Sequence, residues 1–198
     1  AVWRGKTWPK PDGPVLKMSF ADADALPLGQ DLRVAQKFTK GNIHAIIQPG
    51  FITRADILVL RMLNDNDTRA IHFSRTSADL AEQLGLSAYV VMQGHARKLY
   101  SDSVRVGDNI QRVPGEGYVD VARSMALWDS FTAPASLIKK GDWVDAPSRG
   151  IPYLIVSTGI ATAEAAIRAG HQAAADSTIE TVRQVAIAMR FGDIANEI

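Results

Sequence analysis

The spacing of apolar and polar positions changes several times along the chain, and each change predicts an element. PVLKMSF, from Pro14, reads as a short strand, and the ADADAL that follows as a helical turn or loop. Residues 33–39 and 43–48 predict two strands joined through Lys40, Gly41 and Asn42. Gly and Asn both tolerate positive φ, so this junction predicts a hairpin. Pro49 and Gly50 stop its second strand. Then comes FITRADILVLRMLNDNDTRAIHFSR, two apolar runs around four alternating Asn and Asp residues. Thr53 with Asp56 three positions on resembles a capping box and predicts a helix over residues 54–63. Ile57, Leu58, Val59 and Leu60 are consecutive, so at about 100° per residue they spread around most of the cylinder and predict cover on more than one side. Residues 70–75 set Ile71 and Phe73 against His72 and Ser74, the pattern of a strand with one buried face. Strand, helix, strand with tight connections predicts a parallel crossover unit.

Downstream, Thr76 or Ser77 caps a helix over ADLAEQLG, and residues 86–93 predict a second short helix ending at Gly94. ARKLYS returns as a strand, and the turn-rich residues 102–118 predict an exposed loop. Residues 118–131 carry Val121, Met125 and Trp128 on one helical face, and residues 134–140 form a further short helix. Residues 151–169 and 172–190 predict two long helices around Gly170, placed where a C′ glycine belongs. Ala161, Ala165 and Ala166 on the first would let it approach the Ala175, Ile179, Val182, Ala186 and Met189 stripe of the second. The pair is an antiparallel hairpin resembling one tetratricopeptide unit, and one face of it must pack on the body or on a partner. The expected class is α/β, a small mixed sheet with crossover helices followed by this C-terminal helical hairpin. The expected organisation is an extended Pro/Trp arm (1–14), an α/β body (15–117) and a helical region packed on it (118–198).

Composition narrows the function. The 198 residues carry 22 Lys and Arg against 21 Asp and Glu, a formal charge of +1. A nucleic-acid binder would concentrate a large basic excess, so no nucleic-acid partner is expected. Cysteine is absent, which removes disulfides, thiolate metal sites and Cys nucleophiles together. Unbroken apolar runs such as Ile57 to Leu60 fall short of the roughly 20 residues that span a bilayer, so no transmembrane segment is expected. The chain begins at Ala1 rather than Met, which reads as a processed product or a piece of something longer.

The opening AVWRGKTWPKPDGP holds Pro9, Pro11 and Pro14 and should be extended. Trp3 and Trp8 carry large apolar payloads that a solvated tail has no reason to display. Either both rings fold back onto the domain, or the arm lies on a partner. In the second reading Trp3, Arg4, Lys6, Trp8, Pro9 and Lys10 are the partner-binding residues.

Candidate chemistry is sparse. A calcium loop starting at Asp65 would need Gly at its sixth place, where Ala70 stands, and Glu near Arg75 and Thr76. NDND is therefore read as a helix-ending turn whose amides and carboxylates bond neighbouring backbone and tolerate the left-handed region. Asn66-Asp67-Thr68 also fits a glycosylation acceptor, a triplet common by chance. Asp22-Ala23-Asp24 matches the DxD with which many nucleotide-sugar transferases hold a divalent cation, but no third ligand is visible and a solvated acidic helix start explains it. His44, His72, His95 and His171 are scattered, with no zinc motif; His44 and His72 both fall on predicted strands. Gly115-Glu116-Gly117 lacks the rest of a phosphate-cradling loop. No nucleophile, base and orienting group converge, so the expectation is a chain that is not an enzyme, with no catalytic, cofactor or metal residues and no small-molecule substrate.

The segments ITRADILVLRMLNDN, AIHFSR, the residues 86–99 with their QG, RSMALWDSF and GDWVDAPS carry a likeness. Over residues 15–190 the chain resembles the soluble C-terminal region of bacterial multispanning membrane proteins related to protein O-mannosyltransferases. In that family the transferase chemistry belongs to the membrane-embedded part, so no catalytic residue carries over. The resemblance implies a periplasmic location, peripheral to the cytoplasmic membrane. The chain also resembles the extrinsic accessory subunit of double-ring bacterial reaction-centre and light-harvesting complexes. Together these imply a non-catalytic extrinsic subunit docking on a membrane protein complex; the alternative is a soluble sugar-binding or regulatory domain of a membrane glycosyltransferase.

Overall fold

The computed structural model describes residues 13–142 and 145–197. In chain order its elements are α1 (Phe20–Ala25), β1 (Gly29–Leu32), β2 (Gln36–Lys40), β3 (Ile43–Ile47), β4 (Gly50–Thr53), α2 (Arg54–Asp65), β5 (His72–Ser74), α3 (Ala78–Gln83), β6 (Val90–Gln93) and β7 (Ala96–Leu99). They continue with β8 (Ile110–Val113), β9 (Gly117–Asp120), α4 (Val121–Ser130), α5 (Ala133–Lys140), α6 (Gly150–Arg168), α7 (Gln172–Ala188) and α8 (Gly192–Glu197). The mixed α/β class with small sheets and a C-terminal helical region is the one the sequence predicts. The chain divides into two compact units, the first from residues 13–36 and 48–69, the second from residues 37–47 and 70–197.

The first unit is small. Ser19, placed in the predicted strand, instead caps α1 by accepting a hydrogen bond from the Asp22 amide at 3.1 Å. Pro14 has no amide to give a ladder and the Ser19 hydroxyl offers a cap, so no strand forms there. β1 and β4 pair antiparallel, Gly29 facing Thr53 and Leu32 facing Gly50. The ring of Phe51 lies over Gly29, where any Cβ would overlap it. Thr53 then opens α2 with a complete capping box: its hydroxyl accepts from the Asp56 amide at 3.2 Å, and the Asp56 carboxylate accepts from the Thr53 amide at 2.8 Å. The aspartate thus does what Glu more often does. Ile57, Leu58, Val59 and Leu60 are each half-buried, and Leu63 is the buried residue of the helix.

The predicted crossover through α2 does not form. Pro49 and Gly50, read as stopping the strand over residues 43–48, are followed at once by chain that pairs again: Gly50–Thr53 is a strand of its own on β1. β3 pairs with β2, while β5 pairs antiparallel with β7 in a different sheet.

In the second unit β2 and β3 form the predicted hairpin, with Gly41 at φ 54°. The main sheet runs β5-β7-β6-β9-β8. Its parallel pair is β6 with β9, Val91 beside Tyr118 and Met92 beside Val119. The helix predicted over residues 86–93 is wrong: Val90, Val91 and Met92 are consecutive buried residues of a central strand. A strand covered on both faces shows no alternation, and its apolar run looks like a buried helix until the β-branched valines are weighed. The loop predicted over residues 102–118 contains β8, and Tyr118 to Asp120 belong to β9, so α4 starts at Val121. Asp120 caps it, accepting from the Arg123 amide at 3.0 Å.

Core residues Met92, Val113 and Val119 of the sheet meet Ala161, Ala163, Ala165 and Ala166 of α6. The α6–α7 pair turns at Gly170, φ 81°, as a C′ glycine does. Gly159 marks its closest approach, since a Cβ there would overlap Val182 and the Trp128 ring. Small residues along α6 interrupt its apolar runs, yet within residues 147–168 an 18-residue stretch reaches a mean hydropathy of 1.3, and the helix is long enough to cross a membrane. More than half of that stretch is buried within the domain, as in the core helix of a globular fold.

Candidate functional site

The second unit buries two arginines around one carboxylate. Arg75 follows β5, Arg97 lies in β7, and both are more than nine-tenths buried. Glu116 stands in the β8–β9 turn between Gly115 and Gly117, whose φ values of 76° and 85° require glycine. That turn, unreadable as a phosphate loop, presents the Glu116 carboxylate to both guanidinium groups. Arg97 Nη2 donates to Oε2 at 2.9 Å and Arg75 Nη2 donates to Oε1. Arg75 also donates from Nη1 to the Met92 sulfur at 3.1 Å and from Nη2 to the Ser157 carbonyl at 3.3 Å. Burial pushes the Arg75 pKa below its ordinary value, and the adjacent Glu116 charge opposes that shift. Removing Glu116 would leave two buried cations uncompensated.

Arg97 and Glu116 line a cleft of about 350 Å³ whose other walls include Asp79, Glu82, Val90 and Arg112. Nη1 of Arg97 is buried and finds no hydrogen-bond partner among the described residues. A larger cleft, about 560 Å³, lies by Arg149, Tyr153, Arg190 and Phe191. Its cations have partners: Arg149 sits 5.2 Å over the Phe191 ring, and Arg190 pairs with Asp142 at 3.5 Å. His95 adjoins the triad. Its ring stacks on Phe131 at 4.6 Å, and Nδ1 lies 2.9 Å from the Thr158 hydroxyl. Burial, helped by the Arg75 charge, lowers the His95 pKa.

The residues singled out by sequence go elsewhere. Asp22 and Asp24 do not converge on a shared site: Asp22 accepts from the Ser19 hydroxyl at 2.7 Å, and Asp24 pairs with Arg54 at 3.3 Å. His44 and His72 are exposed on strands of different sheets, and His171 is exposed at the start of α7. Among the described residues no three His, Asp or Glu side chains gather as metal ligands. NDND does end α2, but Asn66 takes an extended conformation (φ −119°, ψ 97°) rather than the left-handed one. Its amide donates to the Val15 and Met62 carbonyls, both at 2.6 Å, and Asp65 accepts from the Lys17 amide at 2.7 Å. Arg69 completes the clasp with bonds to Asn66 at 2.8 Å and to the Gly13 carbonyl at 2.6 Å. The turn therefore ties residues 13–17 to the end of α2, and the Asn66 amide of the glycosylation triplet is buried and engaged. Trp3, Arg4, Lys6, Trp8, Pro9 and Lys10 lie outside the described residues.

The first unit has a different character. Val15, Phe20, Leu28, Val34 and Phe51 are all at least half exposed, Phe20 at 94% and Leu28 at 79%. Ile52 and Leu63 are its buried apolar side chains. Comparison with known proteins returned no match among family models, curated proteins or solved structures.

Proposed function

We propose that the chain is a non-catalytic extrinsic subunit that docks on a membrane protein complex, with the first unit and the Trp-bearing residues 1–14 as its docking side. The observation that carries this reading is the exposure of Phe20, Leu28, Val34 and Phe51 on a unit that buries so little of its own apolar surface. Large aromatic and aliphatic side chains held in water by a thin core are what a subunit interface supplies before assembly. Over residues 1–36 and 48–69 eight Lys and Arg stand against seven Asp, close to neutral on balance. That balance favours a protein partner over an anionic lipid surface, which would draw on a basic cluster. The likeness to a soluble region of mannosyltransferase-related membrane proteins and to an extrinsic light-harvesting subunit adds a periplasmic setting, with a reaction-centre and light-harvesting assembly as the candidate partner. The competing reading, a sugar-binding or regulatory domain of a membrane glycosyltransferase, draws on that likeness and on Asp22 and Asp24.

Gentle solubilisation of the membranes, followed by identification of the proteins that co-purify, tests the reading. Pigment-protein or other integral subunits in fixed ratio are expected, and removal of residues 1–14 should release the chain. Calorimetry with Mn²⁺ and nucleotide or polyprenyl sugars tests the competitor: saturable heats there, with no membrane partner, would overturn the docking reading.

A further inference from the structure

Successive residues of a strand point to opposite sides, so the register of the main sheet sorts its side chains into two faces. One face holds Phe73, Arg97, Met92, Val119 and Val113, all buried, and Met92, Val119 and Val113 pack on α6. On the other face a single row crosses all five strands: His72, Lys98, Val91, Tyr118 and Arg112. His72 and Arg112 at its ends are exposed, and Lys98 and Tyr118 are half-buried. Arg112 stands on the edge strand, where it also borders the cleft beside Glu116. Val91 in the middle of the row is 0% exposed. Tyr100 accounts for that. Its amide donates to the Tyr89 carbonyl at 2.8 Å, and its hydroxyl accepts from the Gln93 side chain at 3.2 Å, so its ring runs along β6 past Val91. The Lys98 ammonium lies 5.1 Å from the centre of that ring.

The row carries charge of one sign. Neither Lys98 nor Arg112 takes part in an ion pair among the described residues. Asp120, two residues beyond Tyr118 on β9, is buried, and its carboxylate already accepts from the Gln93 side chain at 3.1 Å, the Asn109 side chain at 2.8 Å and the Arg123 amide at 3.0 Å. We propose that this face docks an extended acidic segment of a partner protein, with one carboxylate on Lys98, another on Arg112 and an apolar side chain between them against Tyr118. Strands lie about 4.8 Å apart, so the backbones of Lys98 and Arg112, three strands from one another, are about 14 Å apart. An extended chain advances about 3.3 Å per residue, so carboxylates about four residues apart match that span. Charge-assisted hydrogen bonds to the two cations fix the segment's register, and the tyrosine between them offers apolar area. A single-stranded nucleic acid calls instead for a basic groove that tracks its backbone, and two permanent cations separated by a buried valine do not make one. None of these residues belongs to the first unit, so the docking reading and this one fail independently.

Fluorescence anisotropy with the full chain tests it. The probe is a labelled seven-residue peptide with Asp at its second and sixth places, Phe at the fourth, Thr at the third and fifth, and Gly at both ends. Saturable binding is expected, weakened by about threefold or more as NaCl rises from about 50 to about 500 mM. The same peptide with Asn for both Asp should bind about tenfold more weakly, and Lys98→Gln and Arg112→Gln should each weaken the acidic peptide by about fivefold. Thermal melts check that both variants fold. Arg112 is exposed, so Arg112→Gln decides the outcome even where Lys98→Gln, which also loses its contact with Tyr100, does not fold. No binding up to about 5 mM peptide, equal binding of the Asn peptide, or unchanged affinity in Arg112→Gln would each overturn the proposal. A ten-nucleotide oligothymidine that binds more tightly than the acidic peptide would overturn it as well, and would make the face a nucleic-acid surface.

Discussion

The two units use apolar residues in opposite ways. In the second, a five-stranded sheet and the α6–α7 hairpin close on side chains such as Met92, Val119, Ala165 and Val182, each 0% exposed. In the first, a two-stranded ladder and one longer helix bury Ile52 and Leu63 and leave Phe20, Leu28 and Phe51 in water. A two-stranded pair is marginal by itself, because it has too few neighbours to bury its faces. What holds the first unit is polar: the Thr53–Asp56 box and the clasp of Asp65, Asn66 and Arg69 on residues 13–17. The contrast separates a body that is stable by packing from a surface held in shape by hydrogen bonds.

Substitutions can break that contrast in graded steps. Glu116→Ala should have the largest effect, since it leaves Arg75 and Arg97 buried without a counter-charge; a loss of about 3 kcal/mol in urea unfolding is expected. Gly159→Val comes next, because the α6–α7 approach has no room for its side chain beside Trp128 and Val182. It should cost about 2–3 kcal/mol, read in the same unfolding experiment. Thr53→Ala removes one half of the capping box and should cost about 1 kcal/mol. Its loss should appear as faster hydrogen exchange along α2, with the sheet of the second unit unaffected.

A smaller effect depends on pH. His95 has a pKa below the ordinary value of 6.5, from burial first and the Arg75 charge second. The unfolded chain then binds the proton more readily than the folded one, so stability is complete above about pH 6.5 and declines as pH falls through the interval below it. His95→Phe keeps the stack on Phe131 and removes the titration. Melting temperatures from pH 7.5 to 5 should fall less steeply in this variant than in the wild type.

Much of the fold was legible because local chemistry and tertiary structure agree. The Thr53 box, the Gly41-Asn42 turn, Gly170 and the Ala175–Met189 stripe all mark what they predict. Failures cluster where an element has no period of its own. Val90, Val91 and Met92 sit in a strand buried on both faces, so their run carries no alternation. β4 hides behind Pro49 and Gly50, which look like a stop signal although Gly50 is the first residue of the strand. The charge triad was illegible for another reason: Arg75, Arg97 and Glu116 are brought together by strand order and by one hairpin turn, and nothing in their spacing records it. Gly115 and Gly117 around Glu116 were the available signal, and they mark a hairpin turn.

The most direct test of the docking account is to compare the wild type with Phe20→Ser/Leu28→Ser. Both side chains are largely exposed, so unfolding free energy should change by no more than about 0.5 kcal/mol. Each protein is added to membranes stripped of the native chain, and the bound fraction is measured after sedimentation. The account predicts that the wild type sediments with the membranes and the folded double variant stays in solution; equal binding of the two would contradict it.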